Sequence, residues 1–145
     1  MKTLKIFMIL AFGSFAMNAQ DLNKDQVPNE VATAFENEYP QANDVEWEKN
    51  ADYFDVEFEI DRKDHEIWYS ASGEIVKHEE EVLENDLPSS ITNAIASNYS
   101  DLHIEDAEMK TENGTTTYSV ELENGNQEKT IIFDESGNVI KEYTD

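Results

Sequence analysis

Tyr53-Phe54-Asp55-Val56-Glu57-Phe58, residues 53–58, returns 64 positions later as Thr117-Tyr118-Ser119-Val120-Glu121-Leu122. In the first stretch Phe54, Val56, Phe58 and then Ile60 alternate with Tyr53, Asp55, Glu57 and Glu59. Successive side chains of a strand point to opposite faces, so strict alternation marks an antiparallel strand with one packed and one wet face. At the same offset Gly73-Glu74-Ile75-Val76-Lys77 matches Gly137-Asn138-Val139-Ile140-Lys141. Upstream, at an offset of 60, Val27-Pro28, Val31, Phe35 and Tyr39 match Leu87-Pro88, Ile91, Ile95 and Tyr99. Two copies are too few for a solenoid, so this is one unit written twice.

Each copy opens with a helix. Pro28 and Pro88 suit the first helical turn, where a missing N–H is harmless, and the apolar residues every four positions form one stripe. Beyond Pro40 the period falls from about 3.6 to 2: Val45 and Trp47 alternate with acids, and His65–Ser70 precedes a turn at Gly73 that the second copy repeats at Gly137. Glycine at a left-handed turn position explains that spacing. The pattern predicts an α+β fold of two tandem helix-plus-antiparallel-strand repeats, with the helices packed on one face of an antiparallel sheet. The expected layout is a signal segment at 1–19, a linker at 20–26, a first repeat at 27–81 and a second at 82–145, packed as one domain. The acidic stretch Glu79–Asp86 is expected to be a solvated connection.

The chain has 145 residues, a formal net charge of −23 and no cysteine. Lys2 and Lys5 followed by the apolar run Ile6–Phe15 and small residues up to Ala19 have the layout of a secretory signal cleaved near Ala19, which predicts a periplasmic or secreted protein. That run is too short to span a bilayer as a helix, and no later stretch is apolar enough, so membrane insertion is not expected. So acidic a chain repels nucleic-acid phosphates and anionic lipid; a basic protein partner, a cation or plain solubility fits it.

The export signal, the proline-opened helix and the W-x-x and Y-F-D-V-E-F strands together resemble the PepSY-like family, small exported bacterial proteins similar to β-lactamase-inhibitor proteins. The resemblance runs from about Val27 to Tyr143. It implies a periplasmic or secreted module that binds or inhibits another protein, and it brings no catalytic residues. The absence of cysteine departs from the disulfide-bonded inhibitors.

Motifs for chemistry are absent. No G-x-S-x-G elbow occurs, and His65, His78 and His103 lie in charged strand or loop contexts without a nucleophile motif. H-E-x-x-H spacing is missing, since His78-Glu79-Glu80-Glu81 has no second histidine in sequence. Asp134-Glu135-Ser136-Gly137-Asn138 lacks the residue order of a calcium loop and reads as a hairpin turn. Neither catalytic residues, nor a cofactor, nor a dedicated metal site is expected, and an acidic calcium-binding protein stands as the alternative function.

Parity singles out a binding surface. If Ile67, Tyr69, Ile131 and Phe133 face the core, Trp68 and Ile132 face away from it. Tyr53, Asp55, Glu57 and Glu59 share that outward parity, and Val76 and Ile140 join them if the hairpin register is unbroken. Aromatic anchors within a charged rim are the usual anatomy of an interface centre, so this uncovered face is the expected protein-binding site.

Overall fold

The computed structural model describes residues 20–144; the expected signal segment lies outside the described residues. In chain order the elements are β1 (Gln20–Leu22), α1 (Asn29–Glu38), β2 (Asn43–Asn50), β3 (Tyr53–Ile60), β4 (Lys63–Ser70) and β5 (Ile75–Glu81). They are followed by α2 (Ser89–Asn98), β6 (His103–Glu112), β7 (Thr115–Glu123), β8 (Glu128–Asp134) and β9 (Val139–Thr144). The strands form one antiparallel sheet in sequence order, so the two repeats share a continuous sheet.

Both helices lie on the same face. Val31 and Phe35 of α1 pack with Trp47, Phe54, Val56, Phe58, Ile67 and Tyr69, and Ile91 and Ile95 of α2 pack with Ala107, Val120, Leu122, Ile131 and Phe133. Pro28 and Pro88 stand immediately before the first helical residue, where their carbonyls accept from Ala32 (3.0 Å) and Thr92 (3.2 Å). The Gly73 and Gly137 turns press against the first turns of α1 and α2. A Cβ on Gly73 would lie 2.8 Å from the Glu30 carbonyl oxygen, and one on Gly137 2.4 Å from that of Ser90. Both glycines also have positive φ, +83° and +80°, so these positions need glycine twice over.

Residues 20–26 include the edge strand β1, whose Leu22 lies opposite Trp47. The acidic stretch Glu79–Glu81 is not a solvated connection but the end of β5, half-buried in the middle of the sheet. Strand β5 serves both repeats. Its first part closes repeat one against β4, and its end, continued by Val82 N–H donating to the Ala107 carbonyl at 2.9 Å, takes the place against β6 that β1 takes against β2. Alternation survives in a run of three glutamates because each direction still satisfies its backbone in the ladder.

Candidate functional site

The sheet face away from the helices is carpeted with carboxylates. Cross-strand pairs on it are Glu48↔Asp55, Glu46↔Glu57, Asp55↔Trp68, Glu57↔Glu66, Glu66↔Glu79, Trp68↔Lys77 and Glu79↔Lys110. Glu81↔Glu108, Glu108↔Ser119 and Ser119↔Ile132 carry the same face into the second repeat. Like charges directly opposite one another are destabilising, so this arrangement opposes folding rather than assisting it.

The electrostatics carry that cost. Burial pushes Asp55 up to about 6 and Glu108 up to about 7. Burial likewise raises Glu48, Glu57 and Glu79. In all five the charge of Glu66 adds to the rise, which makes Glu66 the hub of the surface. Asp55 is relieved only in part by Asn50 Nδ2, which donates to Oδ1 at 3.1 Å.

Of the expected anchors, Trp68 and Ile132 are covered, whereas Tyr53 is exposed. Trp68 is half-buried: its Nε1 donates to Glu66, the Tyr53 ring lies 6.2 Å away, and the Lys77 ammonium stands 4.1 Å over its indole. Lys77 also pairs with Glu79 at 3.2 Å. Ile132, expected to be exposed, is 5% exposed, although it belongs to neither core. Its cross-strand neighbour is Lys141, the counterpart of Lys77, whose ammonium turns to the Tyr143 ring 4.4 Å away. Asp55 is buried, Glu59 is half-buried, and Tyr53 and Glu57 are exposed.

Val76 and Ile140 do not join this face. The register shifts between Trp68 and Tyr69, and again between Ile132 and Phe133, so each falls in a bulge. Val76 instead lines a cleft of about 340 Å³ with Glu38, Tyr39 and His78.

Three residues that sequence spacing kept apart meet on the helix side. His65 of β4 lies opposite Glu80 of β5, and His78, two residues before Glu80 on the same strand, is diagonal to His65. His65 Nδ1 is 3.4 Å from His78 Nε2 and 3.4 Å from Glu80 Oε2, which is 3.5 Å from His78 Nε2. Burial holds both imidazoles below the usual histidine range. The His65 ring stacks on Phe58 at 5.1 Å and 10°, and Tyr39 meets His78 at 6.3 Å. A 13-residue separation hid the pair; only the β4–β5 register reveals it.

The model of a family described as "Putative beta-lactamase-inhibitor-like, PepSY-like" matches the chain twice, over residues 14–76 and 52–141. No curated protein matches. Among solved structures, a DUF2874 family protein from Bacteroides uniformis is similar with a TM-score of 0.68 and 21% identity, over 81% of this chain and 88% of that one. A BLIP-like protein from Bacteroides fragilis has a TM-score of 0.64 and 24% identity, over 79% and 84%. A DUF2874 family protein from Bacteroides ovatus has a TM-score of 0.67 and 19% identity, over 81% and 86%.

Proposed function

The chain belongs to the PepSY-like family, and from that membership we propose that it is an exported, non-enzymatic module that binds a basic segment of another protein on the open face of its sheet. The observation that carries this reading is the run of carboxylates set opposite one another across the open face, Glu46↔Glu57, Glu48↔Asp55, Glu57↔Glu66, Glu66↔Glu79 and Glu81↔Glu108. Such a surface is preorganised for positive charge: a lysine- or arginine-rich segment relieves the repulsion that folding leaves behind, and speeds encounter. Trp68 then supplies apolar area once Lys77 swings away, and arginine stacks well on indole. The signal-like residues 1–19 support export, and no described helix is long and apolar enough to cross a membrane.

Calcium storage has less support. A calcium ion takes six to eight oxygens, whereas each tight ligand cluster among the described residues contains a histidine.

The test uses residues 20–145 and an arginine-rich peptide as probe, titrated at about 20 mM and about 300 mM salt. Binding is expected at low salt, weakened at high salt, and at least about tenfold weaker in the triple variant Glu57→Gln/Glu66→Gln/Glu79→Gln. Equal binding by the variant would remove the open face as the site.

A further inference from the structure

We propose that His65, His78 and Glu80 form a binding site for a tetrahedral divalent transition-metal ion of the Zn²⁺ class, independent of the acidic open face. The site lies over β5 on the helix side, at the margin of the first helix core, which reaches it through Phe58 and Tyr39.

Spacing separates this from an ordinary hydrogen-bonded cluster. Ligand atoms on a tetrahedron with bonds of about 2.1 Å stand about 3.4 Å apart. The three separations here are 3.4, 3.4 and 3.5 Å. As hydrogen bonds all three are long, since good ones fall at about 2.7–3.2 Å. The other histidine-bearing cluster, His103, Glu105 and Glu123, behaves oppositely: its His103 Nε2 sits 2.7 Å from Glu123 Oε1, an ordinary hydrogen bond on an exposed side chain. Two imidazoles and one carboxylate are a donor set that suits zinc, with water left to complete the fourth position.

The duplication supplies an internal control. At the offset of 64, His65 and His78 become Lys129 and Glu142. Those two form an ion pair at the same place in the second repeat, and Tyr99 Oη donates to Glu142 at 3.0 Å where Tyr39 meets His78 in the first. The scaffold therefore does not require imidazoles there, and an ion pair fills the position adequately. Phe58 and Tyr39 hold the two rings in place before any ion arrives. Such preorganisation is what a built metal site needs.

The experiment is equilibrium dialysis of residues 20–145 against Zn²⁺, with Co²⁺ as a spectroscopic stand-in and melting followed in parallel. About one Zn²⁺ is expected per chain, retained in excess Ca²⁺ because imidazole disfavours the hard ion, and Co²⁺ should give the intense visible absorption of tetrahedral coordination. The variant His65→Lys/His78→Glu copies the second repeat's ion pair. It is expected to fold, with affinity at least about 100-fold lower and no rise in melting temperature on adding Zn²⁺. His103→Gln and Glu57→Gln/Glu66→Gln should each bind as the parent does. Unchanged binding by the histidine variant overturns the site, as does loss of binding in His103→Gln or in the open-face variant, or only the faint absorption of octahedral Co²⁺. If the histidine variant does not fold, His78→Gln gives the same reading.

Discussion

Asp55 and Trp68 face one another across the β3–β4 ladder, and the carboxylate, 3% exposed, is the more deeply buried of the two. A buried carboxylate among other acids is kept at a cost in stability. Each consequence below is measurable on the isolated chain.

The stability contributed by Asp55 and Glu108 should fall as pH rises from about 5 to about 8, opposed by His65 and His78, whose lowered range makes their own contribution rise with pH. The folded values of Asp55 and Glu108, about 6 and about 7, lie above the unfolded carboxylate range. Between the two ranges the folded chain binds more protons than the unfolded one. The contribution of these groups is therefore fully present below about pH 4 and is lost as pH passes through about 6 to 7. Urea midpoints check this, and Glu108→Gln should flatten the slope and add about 1–2 kcal/mol at about pH 8. A Glu108→Gln chain with the same pH slope as the parent would contradict it.

Trp68→Ala should cost about 1–2 kcal/mol while leaving the fold intact, because the indole is only half-buried and lies outside both cores. Its expected loss comes from the Lys77 and Tyr53 contacts. Circular dichroism and urea unfolding report both quantities, and a collapse of the fold would mean the indole is structural.

Much of this architecture is legible in the sequence, and for a physical reason. Duplication doubles each weak signal, so Val31/Ile91, Phe58/Leu122 and Gly73/Gly137 place helices, core strands and turns together. What escapes is cross-strand. Nothing in the order of residues says that Lys77 covers Trp68, that Glu66 stands between Glu57 and Glu79, or that His65 meets His78. The bulges after Trp68 and Ile132 move Val76 and Ile140 out of the alternation that parity alone assigns them. Glu79–Glu81 looks like solvated linker because propensity does not favour glutamate in strands, and tertiary pairing overrides it.

Tyr69→Phe should stabilise the chain by up to about 1 kcal/mol. Tyr69 is fully buried, its hydroxyl has no hydrogen-bond partner among the described residues, and burial raises its pKa. The second repeat already carries the apolar solution, Phe133, at the matching position. A loss of more than about 1 kcal/mol in thermal unfolding would show that the hydroxyl is satisfied after all.

Gly137→Ala should destabilise by about 2–4 kcal/mol, against about 1 kcal/mol for Gly125→Ala. Both have positive φ, +80° and +81°, but only Gly137 places a Cβ against the Ser90 carbonyl, whereas Gly125 opens onto free space. The difference between the two variants isolates the clash from the backbone strain. Equal losses in urea unfolding would mean that the turn does not press on α2.

The shared strand makes the last prediction. If each repeat ended where the sequence suggests, residues 82–145 would fold alone. In the structure that fragment lacks Ile75–Glu81, so β6 loses its partner along Lys77–Glu81 and exposes an unpaired edge. Residues 75–145 keep the strand that stands to β6 as β1 stands to β2. The longer fragment should therefore unfold cooperatively in urea and the shorter one should not. Cooperative folding of residues 82–145 would instead place the boundary after β5, and would make the continuous sheet a docking of two independent units rather than one structure with a strand in common.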